Sequence, residues 1–192
     1  MARRTFDAAV VGAGPAGCSA AGLIAKAGFS VAVIEEHSNP GEPVQCAGLI
    51  SPRCLKIANG AEHTVMNRLR GARIYSPAGN PLDIMAKEAQ AVVIDRAAFD
   101  RSMLSRASDS GAEIFVGTRV KGIRPGPGRS TVLEGTDLKA RIVIGADGPR
   151  SCIRSALGLD EPAFMMHGIT AELRGPDIGQ DRAMVFFGRE LA

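Results

Sequence analysis

The stretch FDAAVVGAGPAGCSAAGLIAKAGFSVAVIEE, residues 6–36, decides the fold. Phe6 to Val11 is a short run of small and β-branched apolar residues, the composition of a buried strand. It runs into Gly12, Gly14 and Gly17 at GxGxxG spacing, and each glycine has its own task. Gly12 permits a tight strand-to-helix turn, Gly14 lets the backbone approach a pyrophosphate, and Gly17 lets the helix lie close on the sheet. Pro15 opens that helix, where a missing N–H costs nothing, and Ala16 follows in the first turn. Gly17, Ala20, Ala21 and Ile24 form an i, i+3, i+4, i+7 stripe, small enough for close packing. Gly28 ends the helix, and Val31 to Ile34 reads as a second, parallel strand. Glu35 then stands at that strand's carboxyl end, about 20 residues past the glycines, where an acid accepts ribose hydroxyls. Strand, turn, helix, strand and acid in this order predict a dinucleotide site. Glu35 repels a ribose 2′-phosphate and so disfavours NADP.

The remaining composition narrows the function classes. The formal net charge is +3, the arginines are spread along the chain, and there is no Trp and one Tyr. Neither a basic footprint nor a stacking platform for nucleic acid is present. Cys18, Cys46, Cys54 and Cys152 form no CxxC pair and have no metal-ligand spacing with the three histidines, so no metal site is expected. Cys18 reads as inert helix core and Cys54 as structural. The opening MARRTFDAAVVGAG resembles a secretory leader superficially, but Asp7 and the Gly-Pro turn interrupt it. No run is long enough to span a bilayer, and the expected location is cytoplasmic, with reduced thiols.

Further along, Ser51 and Pro52 predict the cap and first turn of a short helix ending at Asn59-Gly60. Arg73 to Ser76 and Pro81 to Ile84 predict a hairpin inserted over residues 71–85. Ala91 to Ile94 predicts a strand, followed by a helix from Arg96 to about Asp109 with Phe99, Met103 and Ala107 buried. Ile114 to Val116, Val120 to Ile123 and Thr131 to Glu134 predict an antiparallel meander laid on the sheet. Arg141 to Ile144 reads as a parallel strand buried on both faces. Near Pro162 the pattern changes. Residues 1–162 are expected to form one domain, and 163–192 to begin another with antiparallel strands at Gly168 to Leu173 and Met184 to Phe187.

DRAAFDRSML and GADGPRSCIR, taken with the opening motif, resemble the signature of glutathione-reductase-like flavoproteins, which include the aromatic hydroxylases. The resemblance implies an α/β, Rossmann-like FAD-binding fold with a central parallel sheet, an antiparallel meander and a second substrate sheet. It places Arg96 along the FAD phosphate and ribityl chain, Val120 at adenine through its backbone, and Asp147 with Gly148 in the second cofactor motif. PVQCAGLIS is similar to the matching stretch of geranylgeranyl reductases, which saturate isoprenoid chains of membrane lipids and chlorophyll precursors. In that family the matching cysteine lies beside the isoalloxazine ring. The resemblance thus implies that Cys46, with small neighbours Ala47 and Gly48, is a catalytic proton donor at the flavin.

The implied activity is FAD-dependent reduction of carbon–carbon double bonds in an isoprenoid lipid, fed by ferredoxin, NAD(P)H or a deazaflavin. Peripheral contact with the inner membrane face follows from such a substrate. An aromatic-hydroxylase-type monooxygenase and a non-catalytic dinucleotide-binding module stay open as alternatives. The resemblance covers the amino-terminal half of the family and lacks its late Gly-Asp flavin motif and aromatic-proline motif. Weak flavin binding and no independent catalysis are therefore expected.

Overall fold

The computed structural model describes residues 3–172 and 181–188. In chain order the elements are β1 (Arg4–Val11), α1 (Pro15–Lys26), β2 (Val31–Ile34), β3 (Leu49–Ile50), α2 (Pro52–Ala58) and β4 (Val65–Leu69). Then come β5 (Gly71–Tyr75), β6 (Pro81–Met85), β7 (Ala91–Ile94), α3 (Arg96–Asp109), β8 (Glu113–Phe115) and β9 (Gly122–Pro125). β10 (Thr131–Glu134), β11 (Leu138–Gly145), α4 (Cys152–Ala156) and β12 (Arg182–Phe186) complete the order. The chain divides into two compact units, Met1–Val44 with Ala97–Gly168, and Gln45–Arg96 with Ile169–Ala192.

The first unit is built on a six-stranded sheet of order β8-β2-β1-β11-β10-β9. β1 is central, parallel to β2 on one side and to β11 on the other. Val10, Val31, Val33 and Ile34 are fully buried there, as expected for parallel strands with near-continuous apolar sequence. On α1 the buried residues are Gly17, Cys18 and Ala21, while Ala20 and Ile24 are half-buried. The contact stripe is thus centred nearer Cys18 than the sequence period suggests.

Three expectations for this sheet change. β8 is no part of a meander: it pairs parallel with β2, from Ala32↔Glu113 to Ile34↔Phe115. β9 and β10 are antiparallel but continue the same sheet beyond β11 rather than lying on it. β9 begins at Gly122, so Val120 precedes it. β11 is parallel to β1 but is not buried throughout, and Ile142 is 61% exposed. β10 pairs only with Lys139 and Ala140, which leaves the second half of β11 flanked by β1 alone.

The second unit holds two three-stranded sheets, β3-β7-β4 and β12-β5-β6. Ser51 caps α2 by accepting the Cys54 amide at 3.1 Å, and Asn59 with Gly60 ends it at positive φ, as expected. Cys54 is exposed on this helix rather than structural. The 71–85 hairpin forms, but it is not an isolated insertion. β5 pairs parallel with β12 from Gly71↔Arg182 to Tyr75↔Phe186, and the Tyr75 and Phe186 rings stack at 4.6 Å. This sheet is mixed, not antiparallel. Residues 45–96 group in one unit with residues 169–192. Of the expected Gly168 to Leu173 strand, residues 168–172 are not strand, and Leu173 lies outside the described residues.

Candidate functional site

The carboxyl ends of β1, β2 and β11 meet at the glycine turn. Gly12 donates its amide to Ile34 O at 2.8 Å, and Ala146 donates to Val11 O at 2.8 Å. Gly12 adopts φ +102°, and a Cβ there would stand 2.3 Å from Ala146 O. A Cβ on Gly17 would stand 2.0 Å from Gly12 O, so helix and turn close on each other only through glycine. Gly14 is different. Its φ of −68° suits any residue, and no protein atom lies within 4 Å of the place a Cβ would occupy. Neither conformation nor internal packing demands glycine there, which leaves close approach of an external group as its use.

Gly14 is also the cap residue of α1, which starts with Pro15 and Ala16 and has neither a capping side chain nor an acid in its first turn. Its first-turn N–H groups and positive dipole end are thus available to an anion. Beside this turn, Glu35 Oε2 accepts the Ala13 amide at 2.9 Å. Glu35 Oε1 accepts the His37 amide at 2.9 Å and the His37 ring Nδ1 at 2.6 Å. Burial works against the Glu35 charge, but the His37 and Ala13 amides and the His37 ring outweigh it and hold the carboxyl below its usual range.

At the end of β11, Asp147 Oδ1 accepts Ser151 Oγ at 2.5 Å, and Oδ2 accepts the Ile153 amide at 3.2 Å. Burial raises the Asp147 pKa, but the Ser151 hydroxyl and the Ile153 amide pull it below the ordinary carboxylate value. Gly148 turns at φ +78° with open space at its Cβ position. Val120 is buried, and its carbonyl accepts the Cys152 thiol at 3.4 Å. Burial and the neighbouring Asp147 push that thiol up. Cys18 is inert core as expected: its thiol bonds Ala13 O at 3.1 Å, and burial pushes it up to about 12.

Gly12, Gly14, Pro15, Ala16, Gly17, Glu35, Val120, Asp147 and Gly148 therefore all lie in the first unit. Cys46, Ala47, Gly48 and Arg96 lie in the second. Cys46 is half-buried, with Sγ accepting the Gly48 amide at 3.4 Å. Gly48 sits at φ +69°, and a Cβ there would meet Ile94 O at 2.2 Å. Arg96 is the half-buried first residue of α3.

Three residues of the site escape the sequence reading: His37, Ser151 and Cys152. Ser151 carries a readable signal, since it caps α4 by accepting the Arg154 amide at 2.9 Å and stands four residues after Asp147. His37 has only its i+2 spacing from Glu35. Cys152 reaches Val120 across 32 residues, and no local pattern marks that contact.

These residues fit an adenine dinucleotide with a pyrophosphate over Gly14. A family model described as FAD binding domain matches residues 5–184. The digeranylgeranylglycerophospholipid reductase of Methanosarcina mazei is 32% identical over 206 aligned positions, covering 97% of this chain and 49% of that protein. The geranylgeranyl diphosphate reductase of Rhodobacter capsulatus is 35% identical over 78% of this chain and 39% of its own length. A solved geranylgeranyl bacteriochlorophyll reductase-like protein of Thermoplasma acidophilum superposes with a TM-score of 0.80 at 25% identity. That match covers 97% of this chain and 51% of the other. The chain spans about half the length of the curated reductases it matches.

Proposed function

The chain belongs to the FAD binding domain family, and from that premise we propose that it serves a reductase saturating carbon–carbon double bonds of geranylgeranyl chains in lipid or pigment synthesis. What carries this reading is the pairing of the glycine-turn site with the PVQCAGLIS stretch in a chain similar to two reductases named for geranylgeranyl substrates. The hydride is the chemistry that bound FAD supplies.

The chain's own residues bind and orient. The α1 amino terminus and the open space at Gly14 receive the pyrophosphate, and Glu35 accepts an adenosine ribose hydroxyl. Asp147 and Gly148 form the second contact with the cofactor, the Val120 backbone meets adenine, and Arg96 lies along the phosphate and ribityl chain. Cys46 is assigned the proton. An isolated alkene is a poor hydride acceptor, so a donor acting with or ahead of hydride transfer lowers the barrier. Ala47 beside it is small and exposed, which leaves room for close approach. The substrate is an isoprenoid lipid, and the electron donor is ferredoxin, a nicotinamide or a deazaflavin. No helix among the described residues is long and apolar enough to cross a membrane. A lipid substrate then implies peripheral contact.

The test is product analysis on a chimera joining residues 1–192 to the second half of the Methanosarcina mazei relative, incubated anaerobically with a geranylgeranyl lipid and reductant. Gain of two hydrogens per saturated bond supports the reading. Product formed only with oxygen, and carrying it, would identify a hydroxylase instead.

A further inference from the structure

Glu35 is the acid expected to hold the adenosine ribose, and its two oxygens are unequally occupied. A carboxylate oxygen has two in-plane acceptor positions. Oε1 has both filled, by the His37 amide at 2.9 Å and the His37 ring at 2.6 Å. The ring nitrogen must be the donor, because an ionised carboxylate only accepts. Oε2 has one filled, by the Ala13 amide at 2.9 Å. Among the described residues no other group bonds either oxygen. The Glu35 side chain is 13% exposed and the His37 side chain 47%, so the ring lies on the solvent side of the carboxylate.

We propose that His37 is a specificity-determining residue which closes Glu35 Oε1 and leaves one acceptor position, on Oε2, so that the ribose is held through a single hydroxyl. This rests on the reading of Glu35 as the ribose acceptor. Of the three donors, only the ring is supplied by a side chain; the two amides stay with the backbone whatever residue 37 is. Removing the ring opens one position on Oε1 and lets the carboxylate take both hydroxyls of the diol. An asparagine keeps a donor at the reach of Nδ1 and leaves Oε1 closed.

The experiment titrates ADP, 2′-deoxy-ADP and 3′-deoxy-ADP into the chain, followed by the Ala13 amide resonance, which reports on Glu35 directly. In the unsubstituted chain one deoxy analogue is expected to bind as ADP does and the other about ten-fold more weakly, the worth of one hydrogen bond to a charged group. In His37→Ala both analogues are expected to bind more weakly than ADP. His37→Asn is expected to restore the one-sided pattern. Equal weakening by both analogues in the unsubstituted chain overturns the proposal. So does a one-sided pattern persisting in His37→Ala, or His37→Asn behaving like His37→Ala. Absence of ADP binding, or equal affinity for all three nucleotides, overturns the reading of Glu35 as the ribose acceptor and the proposal with it.

Discussion

Glu35 Oε2 accepts the Ala13 amide at 2.9 Å, which ties the tip of β2 to the glycine turn that follows β1. Glu35→Gln offers one accepting oxygen in place of two, so it keeps either the Ala13 bond or the His37 bonds, not both. Loss of a charged hydrogen bond here is expected to cost about 1.5–3 kcal/mol. Urea unfolding near neutral pH measures it. The single oxygen satisfies more donors by turning to the His37 amide and ring, so the Ala13 amide should exchange with solvent faster in the variant.

Gly14 and Gly17 separate binding from folding. Gly17→Ala forces a Cβ into Gly12 O at 2.0 Å and is expected to destabilise the fold by about 1–3 kcal/mol or more. Gly14→Ala meets no atom within 4 Å, so its cost stays near that of a poorer helix cap, about 1 kcal/mol. ADP affinity, by contrast, should fall with Gly14→Ala. Thermal unfolding and nucleotide titration on the two variants distinguish the roles.

The strands, the helix and the Glu35 position were legible in residues 6–36 because every determinant is local: turn glycines, a first-turn proline and an apolar period. β8 departs from the expected meander because three residues of strand carry no mark of a parallel or antiparallel partner. The partnership of β5 with β12 spans more than 100 residues of sequence and is set by long-range pairing, which no local pattern encodes. Ile142 reads as buried from its neighbours, but its exposure depends on how far β10 extends along β11. In the site, glycines and carboxylates announce themselves by motif. The groups that hold the carboxylates are close in sequence, His37 two residues from Glu35 and Ser151 four from Asp147; Ser151 is marked by its place as a helix cap, whereas no motif marks His37.

Acid sensitivity should follow from Asp147 as well as Glu35. Both carboxyls titrate below their ordinary values in the fold. A depressed folded pKa gives stability that is fully present above the unfolded value of about 4 and lost as pH falls through the folded value. Ser151→Ala removes the bond to Asp147 Oδ1 and also the α4 cap. The cap loss is independent of pH, whereas the Asp147 part is present only near neutrality. The stability difference between pH 7 and acid below both carboxyls is therefore expected to be smaller in the variant. Urea unfolding at the two pH values checks this.

Cys46→Ser, placed in the chimera, retains size but is a much poorer acid. Flavin reduction by the donor is expected to stay near the parent rate, and turnover of the alkene to slow by about 10²–10⁴-fold, the usual worth of proton donation. Parent-like alkene turnover would return Cys46 to a packing role on the Gly48 turn.

Alkene reduction by the flavin is measured most directly by anaerobic stopped-flow on the chimera after full reduction, mixed with a geranylgeranyl lipid in one syringe series and with oxygen in another. The visible absorbance of oxidised flavin is expected to return with the lipid in the absence of oxygen, at a rate that rises with lipid concentration. Return of that absorbance with oxygen alone, and none with the lipid, would contradict it.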